Sequence, residues 1–191
     1  MHKYVFSPVF SAAAWSALVL LLSVSCGVQR KTSPNAGNSV GSIDAPTASE
    51  WRRSLRGSWV LNSVERENIP AAYTVKMIFG EAPIDCFVRS VWHLPGGSHR
   101  GSISFTSGGR ACDAGMERTI VWSVYDGTKE GAHPQFQFKK IFPGEKASEI
   151  RNGYRLDLSY SDGQSLVMRM PVPLDKGTGH LVFNFSRSET N

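Results

Sequence analysis

The chain has 191 residues, of which 41% are hydrophobic and 19% charged, with 18 Gly, 10 Pro and 3 Cys. These proportions suit one ordinary globular domain plus an appendage and exclude collagen-like, coiled-coil and wholly disordered chains. The formal net charge of +5 falls to about +3 when residues 1–49 are set aside, and the remaining cations are scattered singly or in pairs. A clustered basic footprint for nucleic acid is therefore not expected.

Residues 1–25 read as a signal peptide. Lys3 supplies a positive start, and Ala12 to Leu22 form a short apolar core. A membrane-spanning helix needs about 20 apolar residues, so this segment is too short to be one. The stretch Leu22-Ser23-Val24-Ser25-Cys26 resembles a bacterial lipobox, with Ser23 where that motif usually has Leu. The resemblance implies that Cys26 is acylated, palmitate being the expected kind of chain, and becomes the mature N-terminus. The alternative is cleavage near Ser25 that leaves Cys26 as a free thiol. Each buried methylene contributes about 0.8 kcal/mol, so more than one acyl chain gives lasting attachment to a bilayer. Residues 26–47 follow as a flexible tether, rich in Gly, Ser, Asn and Pro and too poor in large apolar side chains to offset the entropy of ordering.

The domain is expected over residues 48–191. Thr47-Ala48-Ser49-Glu50 fits a helix capping box, predicting a short helical turn with Trp51 available to pack. Beyond Leu55 the hydrophobic period is two. Ile120, Trp122 and Val124 alternate with polar or smaller neighbours, as do Phe136 and Phe138. The same holds for Tyr154, Leu156, Leu158 and Tyr160, then for Leu166, Met168 and Met170, then for Leu181, Phe183 and Phe185. Each segment predicts a strand with one buried face. Asp126-Gly127, Asn152-Gly153 and Asp162-Gly163 supply turns between them. Strand centres near residues 60, 76, 89, 103, 121, 137, 156, 168 and 183 give an all-β fold of eight or nine antiparallel strands. Without helices long enough to cover a sheet, the apolar faces must bury one another, as an up-and-down β-barrel does and a sandwich also could.

Cys86 and Cys112 remain as an even pair in an exported chain, the setting in which a disulfide is expected. On this reading the bridge ties the third strand to the loop after the fourth. Metal binding by these thiols lacks further ligands at suitable spacing.

Gly57-Ser58-Trp59, entering the first strand after the capped turn, resembles the Gly-x-Trp signature of lipocalins. Together with Cys26, the tether, and the Cys-Phe and Ile-x-Trp strands, the pattern is similar to lipocalin-like lipoproteins of Bacteroidota. The resemblance implies an eight-stranded barrel closed at one end by Trp59, with Arg187 just past the last strand packed on its indole. It spans about residues 50–188.

Chemistry is sparse. No nucleophile elbow, zinc helix, phosphate loop or calcium loop occurs. His93 and His99 flank Pro95-Gly96-Gly97, close enough to approach across a hairpin but without a third ligand, as a metal pair or a plain surface pair; Glu65 and Glu67 share a strand face as a glycosidase pair would, or simply mark its solvated exit. No enzyme, cofactor or metal is expected. The leading expectation is an envelope lipoprotein, anchored to a bacterial outer membrane by its N-terminal lipid, that binds a small hydrophobic or amphipathic molecule. Trp92, Trp122, Phe136, Phe138, Met168 and Phe183 are the candidate ligand-binding residues, at the mouth of the barrel. The alternative is a self-packed barrel serving as an accessory subunit of an envelope assembly, contacting a protein partner through loops such as Pro95 to Arg100 or Pro143 to Asn152.

Overall fold

The computed structural model describes residues 45–108, 112–127 and 130–189. Residues 1–44, which hold the expected signal peptide, Cys26 and most of the tether, lie outside them. The described residues belong to one compact unit, Ile43–Asn191.

The capping box forms as the sequence requires. The Thr47 hydroxyl accepts from the Glu50 amide at 3.3 Å, and the Glu50 carboxylate accepts from the Thr47 amide at 2.7 Å. This satisfies amides that a helix start leaves open. Helix α1 (Ala48–Ser54) buries Ala48 and Trp51 and ends with Arg52 and Arg53 in its last turn, where cations suit the helix dipole.

Eight strands follow: β1 (Gly57–Glu67), β2 (Val91–Leu94), β3 (Arg100–Ser104), β4 (Glu117–Tyr125), β5 (Gln135–Ile141), β6 (Tyr154–Ser161), β7 (Ser165–Pro173) and β8 (Thr178–Arg187). Each pairs antiparallel with the next, and β8 returns to β1, so the sheet closes into a ring. Closure leaves no strand edge free to template aggregation. A short helix α2 (Ile84–Phe87) precedes β2.

Inward positions follow the period of two. Trp122 faces Phe138 across β4 and β5, Phe136 faces Leu156 across β5 and β6, and Met168 faces Phe183 across β7 and β8. All of these side chains are buried. The antiparallel order sets α1, the β2–β3 turn and the β6–β7 turn at one end of the ring. The β1–β2, β3–β4 and β5–β6 connections lie at the other, called here the far end.

Three expectations are corrected. No strand forms near residue 76, where the chain turns at Pro70 to Tyr73 and then makes a single bridge between Ile78 and Ala82. The segment around residue 89 is α2 and a connection rather than a strand centre. Arg89 adopts a left-handed φ of 73°, which interrupts pleating before β2 begins at Val91. Tyr160 does not continue the inner row of Leu156 and Leu158, because a register shift between Leu158 and Tyr160 turns it outward, leaving it 50% exposed.

Cys86 and Cys112 form the expected disulfide, with Cα atoms 5.4 Å apart. It joins α2 to the β3–β4 connection, so its first anchor is a helix rather than the strand expected from sequence.

Candidate functional site

The interior of the ring is filled. Trp92, Phe136, Met168 and Phe183 are fully buried, and Trp122 and Phe138 are 3% and 2% exposed. Trp92 packs on Phe136, Phe138 and Phe185 with ring centroids 5.4 to 6.2 Å apart. Its indole N–H donates to the Ser90 hydroxyl at 3.0 Å.

A residue that sequence reasoning missed occupies the middle of this cluster. Phe79, from the β1–β2 connection, stacks on Phe183 at 5.5 Å. It also meets Phe87, Trp92, Phe138 and Tyr154 edge-on at 5.1 to 6.0 Å. Phe79 and Gly80 have φ values of 53° and 56°, and the Glu81 amide donates to the Ile78 carbonyl at 3.1 Å. These are the marks of a tight turn that wants positive φ at both central residues. Glycine accepts that conformation freely, whereas phenylalanine is strained in it by about 1–2 kcal/mol. Burial of the aromatic ring, worth about 1.5–3 kcal/mol, offsets that strain.

Glu81 clamps the same turn to the wall. Its carboxylate receives Arg118 of β4 at 2.6 Å and Lys140 of β5 at 2.9 Å. All three side chains are largely buried, at 9%, 14% and 11% exposure. Burial pushes the Glu81 carboxyl up, but the hydrogen bonds and charges of Arg118 and Lys140 together outweigh it and hold it below its ordinary value.

The opposite end is closed by α1. Trp59 is fully buried, and its indole N–H donates to the Leu55 carbonyl at 2.8 Å. Arg187, paired with Trp59 across β1 and β8, lies over the indole at 5.0 Å. Gly57 has a φ of 119°, and a Cβ placed there would stand 2.5 Å from the Arg187 guanidinium. Glycine thus suits the positive φ at position 57, and a Cβ there would push the flexible Arg187 guanidinium from its place over Trp59.

An open groove lies on the outside of the wall. It measures about 760 Å³ and is lined by outward-facing residues of β4 and β5, namely Val121, Ser123, Gln137 and Lys139, and by Arg155 of β6. These alternate with the buried row of Trp122, Phe138 and Leu156, which fixes their direction. Cross-strand pairing sets Val121 beside Lys139, Ser123 beside Gln137, and Gln137 beside Arg155. Ala147, Arg151 and Gly153 of the β5–β6 loop form one bank, and His99 of the β2–β3 loop the other. Lys139 holds the loop in place by donating to the Ile150 carbonyl at 2.7 Å. Trp122, Phe138 and Tyr154 also border the groove, so two of the six candidate ligand-binding residues contribute to it.

The remaining sequence candidates have separate partners. His93 bonds to the Ser58 hydroxyl at 3.0 Å, and His99 to the Trp122 carbonyl at 3.2 Å. Glu67 pairs with Arg169 at 2.5 Å, while Glu65 accepts from Asn184 at 3.0 Å. Among the described residues, no group of three or more His, Cys, Asp or Glu is placed to hold a metal ion. No described helix is long and apolar enough to cross a membrane.

Fold and groove together define a closed antiparallel β-ring with a cleft on its outer wall. Comparison with protein-family models, with curated proteins and with solved structures found no match.

Proposed function

We propose that this protein is a lipid-anchored, lipocalin-like barrel of a bacterial envelope that binds a small amphipathic molecule without transforming it. Cys26 supplies the anchor on this reading, and residues 26–47 let the domain stand off the outer membrane. The observation that carries the proposal is the groove across β4, β5 and β6. Its volume suits a small ligand, its floor includes Val121, and its rim is polar. Apolar contact along the floor supplies affinity, and the rim sets orientation.

Support for the lipocalin-like assignment comes from the Gly57, Trp59 and Arg187 arrangement and from consecutive closure of eight strands. The ligand's place differs from the barrel mouth expected from sequence, because Phe79 already fills the space between Trp92, Phe138 and Phe183.

The test is solvent extraction of the purified full chain bearing Cys26→Ser, followed by mass spectrometry, in parallel with an Ala147→Trp variant that narrows the groove. A small molecule recovered reproducibly from the first and lost from the second supports the proposal. Protein that is empty, and whose groove amides do not respond to added amphiphiles, overturns it.

The accessory-subunit reading has one observation in its favour, the self-packed interior. A scaffold that needs no ligand to fill it can present the Pro95 to Arg100 and Pro143 to Asn152 loops to a protein partner. Co-purification of one stable envelope protein, lost on substitution in those loops, would support that reading.

A further inference from the structure

We infer that the ligand of the outer groove is anionic at one end, a monomeric amphiphile bearing a carboxylate or phosphate, with Arg151 and Arg155 receiving the charge. This deepens the proposed function and rests on it.

Two observations converge. Lys139, Arg151 and Arg155 all line the groove, and its lining contains no Asp or Glu. None of the three forms an ion pair among the described residues: Lys139 donates to a backbone carbonyl, and Arg155 lies over the Tyr125 ring at 4.4 Å. Of the acidic residues nearby, Asp157 bonds to Gln135 at 2.6 Å, Glu149 pairs with Lys146 at 3.7 Å, and Glu130 accepts from the hydroxyl of Tyr125, whose ring Arg155 covers, with Asp126 close by. Elsewhere on the same strands, cations are neutralised: Arg118 of β4 and Lys140 of β5 share Glu81. Cations without a direct ion pair are thus gathered in the groove rather than spread along these strands.

Arg155 projects from β6 beside Gln137, and Arg151 stands two residues before Gly153, which packs against the Lys139 stem. Guanidinium groups recognise carboxylate and phosphate oxygens through paired, charge-assisted bonds. The apolar portion of the ligand then lies along Val121 and Ala147.

The experiment titrates the full chain bearing Cys26→Ser with decanoate and, separately, with 1-decanol, following amide N–H resonances. Decanoate is expected to shift Val121, Ser123 and Gln137. The Arg151→Gln, Arg155→Gln double variant is expected to weaken decanoate binding by about tenfold or more, and decanol little. Both arginines are exposed, so an otherwise unchanged spectrum shows that the variant is folded. Equal binding of decanoate and decanol, both indifferent to the double variant, overturns the anionic assignment while leaving the groove a ligand site. Failure of both to perturb the groove overturns the proposed function with it. Recruitment to phosphatidylglycerol vesicles through Arg151 and Arg155, with no response to decanoate, assigns the charge to a membrane surface and also overturns the inference.

Discussion

Arg187 lies over the Trp59 indole, 5.0 Å from its centre, and also directly above Gly57, where a Cβ would stand 2.5 Å from the guanidinium. One cation thus covers both signature residues at the end of the ring that α1 closes. Replacing Arg187 by Ala is expected to destabilise the fold by about 1–2 kcal/mol through lost stacking and packing. Gly57→Ala is expected to cost more, because it meets the guanidinium and is strained at a φ of 119°. In the double variant the collision disappears, leaving the backbone strain and the lost stacking of Arg187. Urea denaturation of the four proteins should therefore give a double-variant cost clearly below the sum of the singles. Additive losses would show that Arg187 and Gly57 act independently.

The Phe79 turn reverses a common expectation about glycine. Phe79→Ala removes the aromatic ring from the interior but keeps a side chain at left-handed φ, and is expected to cost about 3–5 kcal/mol. Phe79→Gly removes the same ring and relieves the backbone strain. It should be less destabilising than Ala by about 1 kcal/mol. Thermal or urea denaturation checks the order, and Gly falling below Ala would refute a strained turn.

The Glu81 clamp predicts a specific pH response. A carboxyl held below its ordinary value of 4.5 in the folded protein contributes stability that is present above that value. The contribution drains away as pH falls through the lower folded value. Glu81→Gln should therefore cost about 1–3 kcal/mol at neutral pH, with Arg118 and Lys140 left facing a neutral amide. The gap between wild type and variant should narrow as pH drops below 4.5. Denaturation curves at neutral and acidic pH would show this, and a gap that stays constant would contradict the clamp.

The disulfide closes a loop spanning 26 residues. Chain entropy puts its contribution at roughly 3–4 kcal/mol. A Cys86→Ala, Cys112→Ala chain should lose about that much stability while retaining its β-sheet circular dichroism. Unchanged stability would mean that the bridge constrains the unfolded chain very little.

The period of two was legible wherever a strand pairs along most of its length. Ile120, Trp122, Val124, Phe136 and Phe138 all point inward as the alternation requires. It failed where backbone conformation, rather than side-chain pattern, governs the chain. A bulge after Leu158 moved Tyr160 outward, and left-handed residues at Asn68, Phe79 and Arg89 broke the segment read as two strands. Nothing in the residues Ile78-Phe79-Gly80 announces that Phe79 fills the interior, since an apolar residue before glycine is equally at home in a strand end. The disulfide was readable from compartment and parity, its anchor in α2 was not. The groove was half legible. Lys139 and Arg155 sit at outward positions that alternation identifies, but their meeting with Arg151 and His99 depends on how two loops fold back over the wall. Loop trajectory leaves no periodic trace in sequence.

The staple also stands on the thinnest flank of the closed sheet. Strand β1 faces β2 only over Gly57–Val60, and β2 faces β3 only over Val91–His93, whereas β1 runs alongside β8 from Trp59 to Glu67. Strands β2 and β3, which form these short seams with β1 and with each other, lie within the stretch that Cys86 and Cys112 bracket. If thermal motion unzips the hairpin of β2 and β3, it can lift only as a hinged flap held at its base by sulfur. Reducing conditions thus bear first on this one side, which becomes the natural line along which the wall would part.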